Sequence, residues 1–464
     1  MGEVRATASG LRRLGVGVGD RVAICLPNSV DFLVAALASA WIAATFVPLA
    51  PADPQRRRSL LVEDCDPALV VTAPQADPAW LRGRRGVTLA ELQSAPGVPA
   101  ERPGADPAPA YIIYTSGTTG TPKGVVIGHQ AMSAALEDTI AAVGIGGESR
   151  LMCVSSFHFD GSFAHLFGGV HAGGLVTIPD RNRLLFPRNF VRWVKRHGID
   201  ITSFSPSYLR LLLAGREVEV LAGSALRVIA LGGEAASAAD VRALNRAAPQ
   251  VAVYNRYGPT ETTIAVSHHR LAGDLAPGLP VPIGRANPGV TFHLLDEQHH
   301  PVGEPGRPGE LWIGGYQLMD GYWGSPGLTA EVLRDDVVPG ARVYRSGDLV
   351  SVDGNGIHTW LDRLDRVVKR SGVRVSLAEV SSALADAPGV SAAVAVAHEA
   401  PPDTRIVAFV VSGASAVDVR AAASDLLPAT MMPDVIEVVP ALPLTGSGKV
   451  DERRLLSGWL GGRF

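Results

Sequence analysis

Lysine is nearly missing from this chain. Of 42 basic residues only four are Lys: Lys123, Lys195, Lys369 and Lys449. Arginine supplies positive charge everywhere else, so a retained lysine marks a place where a compact ammonium on a flexible stem differs from a planar guanidinium fork. Lys195 falls in the helical NFVRWVKRHG and reads as a solvated face residue, whereas the other three lie in glycine-containing segments. Cysteine is scarce too. Cys25, Cys65 and Cys153 are far apart and form no CxxC pair, which argues against a disulfide framework and suits a reducing, cytoplasmic setting. The net charge is only −3, so there is no global pull toward nucleic acid or an anionic membrane. Residues 32–52 carry no charge and are long enough to span a bilayer. They are rich in alanine, hold Pro48 and Pro51, and are flanked by Asp31 and Asp53. They therefore read as a buried helix over 32–41 and a buried strand over 45–49, not a membrane span. No secretory leader is visible, because Met1 is followed by mixed polar sequence.

What is present is an alternation of strand and helix. At 464 residues, 47% apolar and 19% charged, the chain is too long for one ordinary core and is expected to form two or more globular domains. Short apolar runs at 21–26 (RVAICL), 69–72 (LVVT), 175–178 (LVTI), 200–204 (DITSF) and 226–231 (LRVIAL) read as buried strands, with helical patterns at 189–197 and 239–247. That order argues for layered α/β sheets. From Pro301 the texture changes: GEPGRPGELWIGG is turn-rich and then alternates, as in a β-rich subdomain. From about residue 364 a basic strand-like run leads into a helix (377–387), strands (392–397 and 406–411) and a helix (417–427). The segment 361–366 (LDRLDR) is the expected boundary. The expected fold class is thus α/β: a large N-terminal domain, 1–364, of layered α/β sheets plus a β-rich subdomain, and a small mobile α+β C-terminal domain, 365–464. Residues 95–110 (APGVPAERPGADPAPA) read as a surface linker, and no internal repeat is present.

One loop carries phosphate chemistry. Residues 115–124 read TSGTTGTPKG. This is not the GxxxxGK[ST] phosphate loop, because the spacing differs and no hydroxyl follows Lys123. Four hydroxyls (Thr115, Ser116, Thr118, Thr119) and a glycine-rich backbone nevertheless offer many donors to anionic oxygens beside one ammonium. YIIY at 111–114 reads as the strand from which the loop hangs.

YTSGTTGTPKG closely resembles the phosphate loop of the adenylate-forming superfamily: acyl-CoA synthetases, luciferase-like enzymes and the adenylation domains of nonribosomal peptide synthetases. The resemblance extends, in the family's order, through NRYGPTETT (255–263), GELWIGG (309–315), YRSGDL (344–349), DRLDRVVKRSGVRVSLAEV (362–380), LPATMMP (427–433) and PLTGSGKVD (443–451). It implies ATP and Mg²⁺ as cofactors, and a first half-reaction in which a carboxylate attacks the α-phosphorus of ATP and expels pyrophosphate. Both reactants are anions, so the site must neutralise and align them. On the family pattern Thr115, Ser116, Gly117, Thr118, Thr119 and Lys123 would cradle the phosphates. Glu261 would hold Mg²⁺ and Thr260 would touch the α-phosphate. Asp348 would accept from both ribose hydroxyls, with Arg363 assisting. Tyr257, followed by Gly258, would stack on adenine, and Asn255 with the Gly232-Gly233-Glu234 turn would line its edge. Lys449 would bridge the substrate carboxylate and the α-phosphate. The C-terminal domain would then turn about Asp365 and bring the 369–374 strand to the site, so that a thiol converts the adenylate to a thioester.

The pocket resembles that of amino-acid-activating members. FDGSF (159–163) is similar to their FDxS segment, in which the Asp pairs with the substrate ammonium. Asp160 therefore implies an amino acid substrate, with Gly161, Ala164, Ser203, Ile229, Leu231, Arg256, Ile264 and Ala265 as the other lining positions. Arg256 stands where the family often has a small residue. Pointing inward, it would fill the pocket for a small substrate or pair with an acidic side chain. His158 and His165 are expected to pack or hydrogen-bond, since the chemistry needs no general base. Asp362 stands where the family usually has Gly, and Ser376 where it often has Glu. The chain begins at a segment resembling the middle of the family's first subdomain. It ends shortly after Lys449 without a carrier domain, so the expected partner is a phosphopantetheinylated carrier protein in trans. The alternatives are an acyl- or aryl-CoA ligase in which Asp160 is structural, a relative that stops at the adenylate or passes it to another acceptor, and a non-catalytic nucleotide-binding partner. Intact Lys123, Glu261, Asp348 and Lys449 argue against the last.

Overall fold

The computed structural model describes residues 1–74, 78–94, 108–116, 122–184, 186–215, 217–271, 275–276, 279–364, 367–370, 373–400, 403–424, 427, 431–445 and 449–463. The core of the phosphate loop, with Gly117, Thr118 and Thr119, and the expected hinge Asp365 lie outside them, as does the side chain of Ser116.

The charge-free stretch folds as a helix and a strand. Helix Val30–Trp41 starts where the Ser29 hydroxyl accepts from the Phe32 amide, the side-chain cap that a serine in extended conformation supplies. Strand Thr45–Pro48 follows and is buried at every position. Among the described residues no helix is long and apolar enough to cross a membrane.

Three large sheets organise the described part of the first 364 residues. In the first, Arg21–Cys25 pairs in parallel with Thr45–Pro48 on one side and Leu69–Thr72 on the other. Pro109–Ser116 joins Thr45–Pro48 in parallel and then pairs antiparallel with Pro122–Gly128, and these two strands flank the core of the phosphate loop in sequence. In the second sheet Ala252–Tyr257, Val228–Gly232, Ile201–Phe204 and Arg150–Cys153 run parallel, and Ser267–Arg270 closes one edge antiparallel. Uniformly apolar strands of this kind are buried on both faces. The third sheet is antiparallel throughout and holds Val290–Leu295, Gly309–Gly315, Ala341–Val352 and His358–Arg363, the β-rich texture expected from residue 301 onward.

Helix Phe163–His171 is wedged against the first sheet by aromatic packing. The rings of Phe163 and Tyr111 lie 5.2 Å apart edge to face, and Phe46 sits 5.7 Å from Phe163. Such contacts add about 1 kcal/mol each beyond area burial. They anchor the helix that follows the Asp160–Ser162 turn.

Beyond residue 364 the expected single basic strand is a hairpin, Val367–Arg370 paired antiparallel with Val373–Ser376. Helix Leu377–Ala385 and helix Ala416–Ser424 cover one face of a sheet made by Val390–Ala400, Asp403–Ser412 and Val435–Val438, and Leu455 of helix Glu452–Leu460 packs on the other face. Asp362, on the last strand of the third sheet, is fully buried. Its carboxylate accepts from the Ala378 amide at 3.0 Å and from the Arg363 amide at 2.8 Å. A strand of the β-rich sheet thus caps the first helix of the C-terminal segment.

Candidate active site

The site gathers where the hairpin of the first sheet, the ends of the second and the β-rich sheet meet. Thr115 and Lys123 face each other across the hairpin register, both half-buried. The Lys123 ammonium lies 5.2 Å from the centre of the Tyr322 ring, a cation–π contact worth about 1 kcal/mol. Tyr322 comes from strand Gly321–Tyr322, which pairs with the Lys123 strand. Its hydroxyl donates to Glu261 Oε1 at 2.8 Å. Tyr322 therefore joins the loop lysine to the expected metal ligand, a link that motif reading did not single out. Burial and the Glu261 charge push its phenol well above the usual range, so it stays a donor.

Glu261 lies in the short 3-10 turn Thr260–Thr262, half-exposed, with its carbonyl taking the Met319 amide at 2.8 Å. The next two residues are unusual. Thr263 and Ile264 have φ of 58° and 67°, a left-handed conformation that β-branched residues rarely adopt and that the surrounding structure must enforce. Gly258 explains how. A Cβ there would come 2.6 Å from Ala265 Cα and 3.0 Å from Ile264 O, so the chain folds back on itself where only hydrogen fits. The strained bend presents the Ile264 amide to Asp160 Oδ2 at 3.3 Å.

Asp160 opens the turn Asp160–Ser162 ahead of helix Phe163–His171 and is 9% exposed. Burial pushes its carboxyl up to about 6; the Ile264 and Gly161 amides oppose this, and the Glu261 charge adds to it. No described cation forms an ion pair with it. Gly161 faces open space, with nothing within 4 Å of a built Cβ.

Asp348 is 4% exposed and anchored from several sides. The Tyr257 hydroxyl donates to Oδ2, Trp360 Nε1 donates to Oδ1 at 3.1 Å, and Arg363 stands 3.6 Å from Oδ1. Register pairing of Asp348 with Arg363 across two strands sets that geometry. Tyr257, Asp348 and Arg363 thus form one cluster. Asn255 is buried and donates to the Pro282 carbonyl at 2.8 Å. Glu234, after the Gly233 turn (φ 83°), accepts from the Ser207 amide and hydroxyl at the start of helix Pro206–Ala214. Lys449 is exposed, and its carbonyl accepts from the Thr445 amide at 2.7 Å.

The pocket positions divide by face. Ser203 pairs in register with Ala230, and Arg256 with Gly232. Register partners share a face of a sheet, so Ser203, Ala230, Gly232 and Arg256 look one way, with His165 hydrogen-bonded to Ser203 at 2.9 Å. Ile229 and Leu231 look the other way and pack with Phe190, Leu209, Val241 and Leu244. A one-residue step along a strand reverses the face, so these two lie on the side opposite Ser203 and Arg256. Ala164, Ile264 and Ala265 belong to a different apolar cluster, with Tyr111 and Phe163, on the near side. His158 bonds Ser156 at 2.8 Å, as a packing residue would.

Among the described residues no cluster of three or more His, Cys, Asp or Glu could hold a metal by itself. The hard oxygens of Glu261 fit Mg²⁺, which commonly takes one or two carboxylates and completes its shell with phosphate oxygens and water.

Residues 2–323 match the family model described as AMP-binding enzyme, and residues 379–449 match that of its C-terminal domain. The chain belongs to the AMP-binding enzyme family. Its relatives are ATP-dependent, AMP-forming ligases, and those similar to it include nonribosomal peptide synthetases. Syringomycin synthase SyrB1 of Pseudomonas syringae pv. syringae is 35% identical over 97% of this chain and 75% of its own length. Novobiocin biosynthesis protein H of Streptomyces niveus is 34% identical over 98% and 77%. A linear gramicidin synthase of Brevibacillus parabrevis is 34% identical over 95% of this chain, which spans only 9% of that protein. Among solved structures, the four-domain nonribosomal peptide synthetase AB3403 bound to AMP and glycine superposes with a TM-score of 0.86 at 28% identity, over 97% of this chain and 34% of its own. An O-succinylbenzoate coenzyme A synthetase of Bacillus subtilis shares the fold with a TM-score of 0.85 at 22% identity, over 98% of this chain and 91% of its own.

Proposed function

We propose that this AMP-binding enzyme activates an amino acid with ATP, releasing pyrophosphate, and passes the aminoacyl group to the phosphopantetheine thiol of a separate carrier protein. The observation that carries the amino-acid reading is Asp160: a buried carboxylate, unpaired by any described cation, beside the Thr260–Thr262 turn and above the opening at Gly161. Such a group calls for a cation, and the α-ammonium of an amino acid supplies one.

In the first step one oxygen of the substrate carboxylate bonds to the α-phosphorus and the bond to pyrophosphate breaks. Lys123 and the loop donors hold the leaving phosphates, and Glu261 would hold Mg²⁺, which neutralises phosphate charge when bound. Asp348, oriented by Tyr257, Trp360 and Arg363, fixes the ribose. Lys449 stabilises charge developing between carboxylate and phosphorus once the C-terminal domain places it there. In the second step the thiol sulfur, as thiolate, bonds to the carbonyl carbon and AMP departs.

A coenzyme A ligase reading has one observation in its favour, the Ile264 amide already occupying one oxygen of Asp160. ATP–pyrophosphate exchange separates the two. Amino acids support exchange in the wild type and lose it by two orders of magnitude or more in Asp160→Ala. Exchange driven by amine-free acids and unchanged in Asp160→Ala would establish the ligase reading instead.

A further inference from the structure

Arg256 lies in this site, yet adenylation as described above does not use it. It is 9% exposed, and Nε and Nη1 are buried without a hydrogen-bond partner. A buried charge left without partners is costly, and a fold retains one where a partner arrives from outside.

The surroundings make room for the guanidinium without satisfying it. Gly232 is its register partner on one neighbouring strand, and a Cβ there would come 3.6 Å from Arg256 Nε. His268 is its partner on the other strand, already engaged with Thr139 at 3.2 Å and Asn287 at 3.1 Å. His165 is engaged with Ser203 through Nδ1, and its Nε2 is also buried and unpartnered. Burial, reinforced by the Arg256 charge, keeps both imidazoles neutral, with His268 brought down to about 4. Asp160 is close enough for its charge to be felt at Arg256 but forms no ion pair with it, and it accepts from Ile264. With the substrate ammonium at Asp160 and the reacting carboxylate at the α-phosphorus, the guanidinium remains unneutralised unless the substrate brings a second anion.

We infer that the activated amino acid carries a carboxylate on its side chain, and that Arg256 receives it with donors that have no acceptor in the protein. The inference rests on the amino-acid activation proposed above and names the substrate class of that same site.

The test is ATP–pyrophosphate exchange on the full chain with matched pairs, aspartate against asparagine and glutamate against glutamine. 2-Aminoadipate, glycine and alanine are run beside them, with succinate and glutarate as amine-free diacids. An acidic amino acid is expected to exceed its amide in kcat/KM by about 30-fold or more, the worth of a charge-assisted hydrogen bond. Arg256→Met should abolish that preference while raising the thermal midpoint of the free protein, because it replaces an unpaired buried charge with an apolar chain of similar length. If the variant does not fold, the acid-to-amide ratio of the wild type decides alone. Fastest exchange with a neutral amino acid, unchanged in Arg256→Met, would overturn the inference and leave amino-acid activation standing. Fastest exchange with an amine-free diacid, lost in Arg256→Met, would overturn the amino-acid reading and leave the anion at Arg256 standing.

Discussion

Asp160 titrates at about 6 in the folded chain, against 3.8 for an ordinary aspartate, chiefly because burial disfavours its charge. The sign of the linkage follows. A raised carboxyl favours the fold while protonated, below about pH 4, and that contribution is lost as pH rises through about 6. Asp160→Asn removes the titration. It should raise the calorimetric unfolding temperature at pH 8 and leave it nearly unchanged at pH 4; equal shifts at both would contradict the assignment. In the wild type the KM for the amino acid should rise as pH falls below about 6, since a protonated Asp160 gives an ammonium no ion pair. Tyr322 makes a separate prediction. Tyr322→Phe keeps the ring under Lys123 and deletes the hydrogen bond to Glu261. Loss of a bond that orients a metal ligand weakens metal affinity by about 10-fold or more. The Mg²⁺ concentration that half-activates exchange should rise accordingly, and an unchanged Mg²⁺ profile would show that Tyr322 does not orient Glu261.

At the scale of elements, the bend after the Ala252–Tyr257 strand is set by close backbone approach. Gly258→Ala would force a Cβ within 2.6 Å of Ala265, costing about 1–3 kcal/mol or more. It would also displace Thr260 and Glu261, so exchange should fall by more than the stability loss explains; activity within twofold of wild type would refute the bend's role. Asp362→Ala uncaps the helix Leu377–Ala385, at about 1 kcal/mol. Hydrogen exchange at the Ala378 amide should quicken about fivefold, and unchanged protection would mean that another group caps the helix. These elements also show what the sequence makes legible. Residues 32–52 and 189–197 were readable as helix and strand from hydrophobic pattern and breakers. The face presented by Ile229 and Leu231 was not. Val228–Leu231 is apolar and buried at every position, so it has no alternation to reveal which residues share a face with Ser203 and Arg256. Only the pairing of Ser203 with Ala230 and of Arg256 with Gly232 decides it. Tyr322 was missed for another reason: its partners Lys123 and Glu261 are remote in sequence, and they meet only once Gly321–Tyr322 joins the edge of the first sheet. The hairpin at 367–376 read as one strand because the two residues between its strands, Ser371 and Gly372, lie within a basic run.

At the scale of the whole molecule, three sheets converge so that a hydroxyl- and lysine-bearing hairpin, a strained acidic turn and an anchored aspartate face one region, with Asp160, ion-paired to no described cation, beside them. Membership in the AMP-binding enzyme family accounts for that convergence, and the two family matches cover residues 2–323 and 379–449. The central claim is that a carboxylate oxygen of an amino acid becomes bonded to the α-phosphorus of ATP. The most direct measurement uses an amino acid labelled with ¹⁸O in its reacting carboxylate, ATP and hydroxylamine as acceptor, with mass spectrometry of the nucleotide product. The account predicts AMP carrying one ¹⁸O atom and pyrophosphate carrying none. Unlabelled AMP, or label appearing in phosphate alongside ADP, would contradict it.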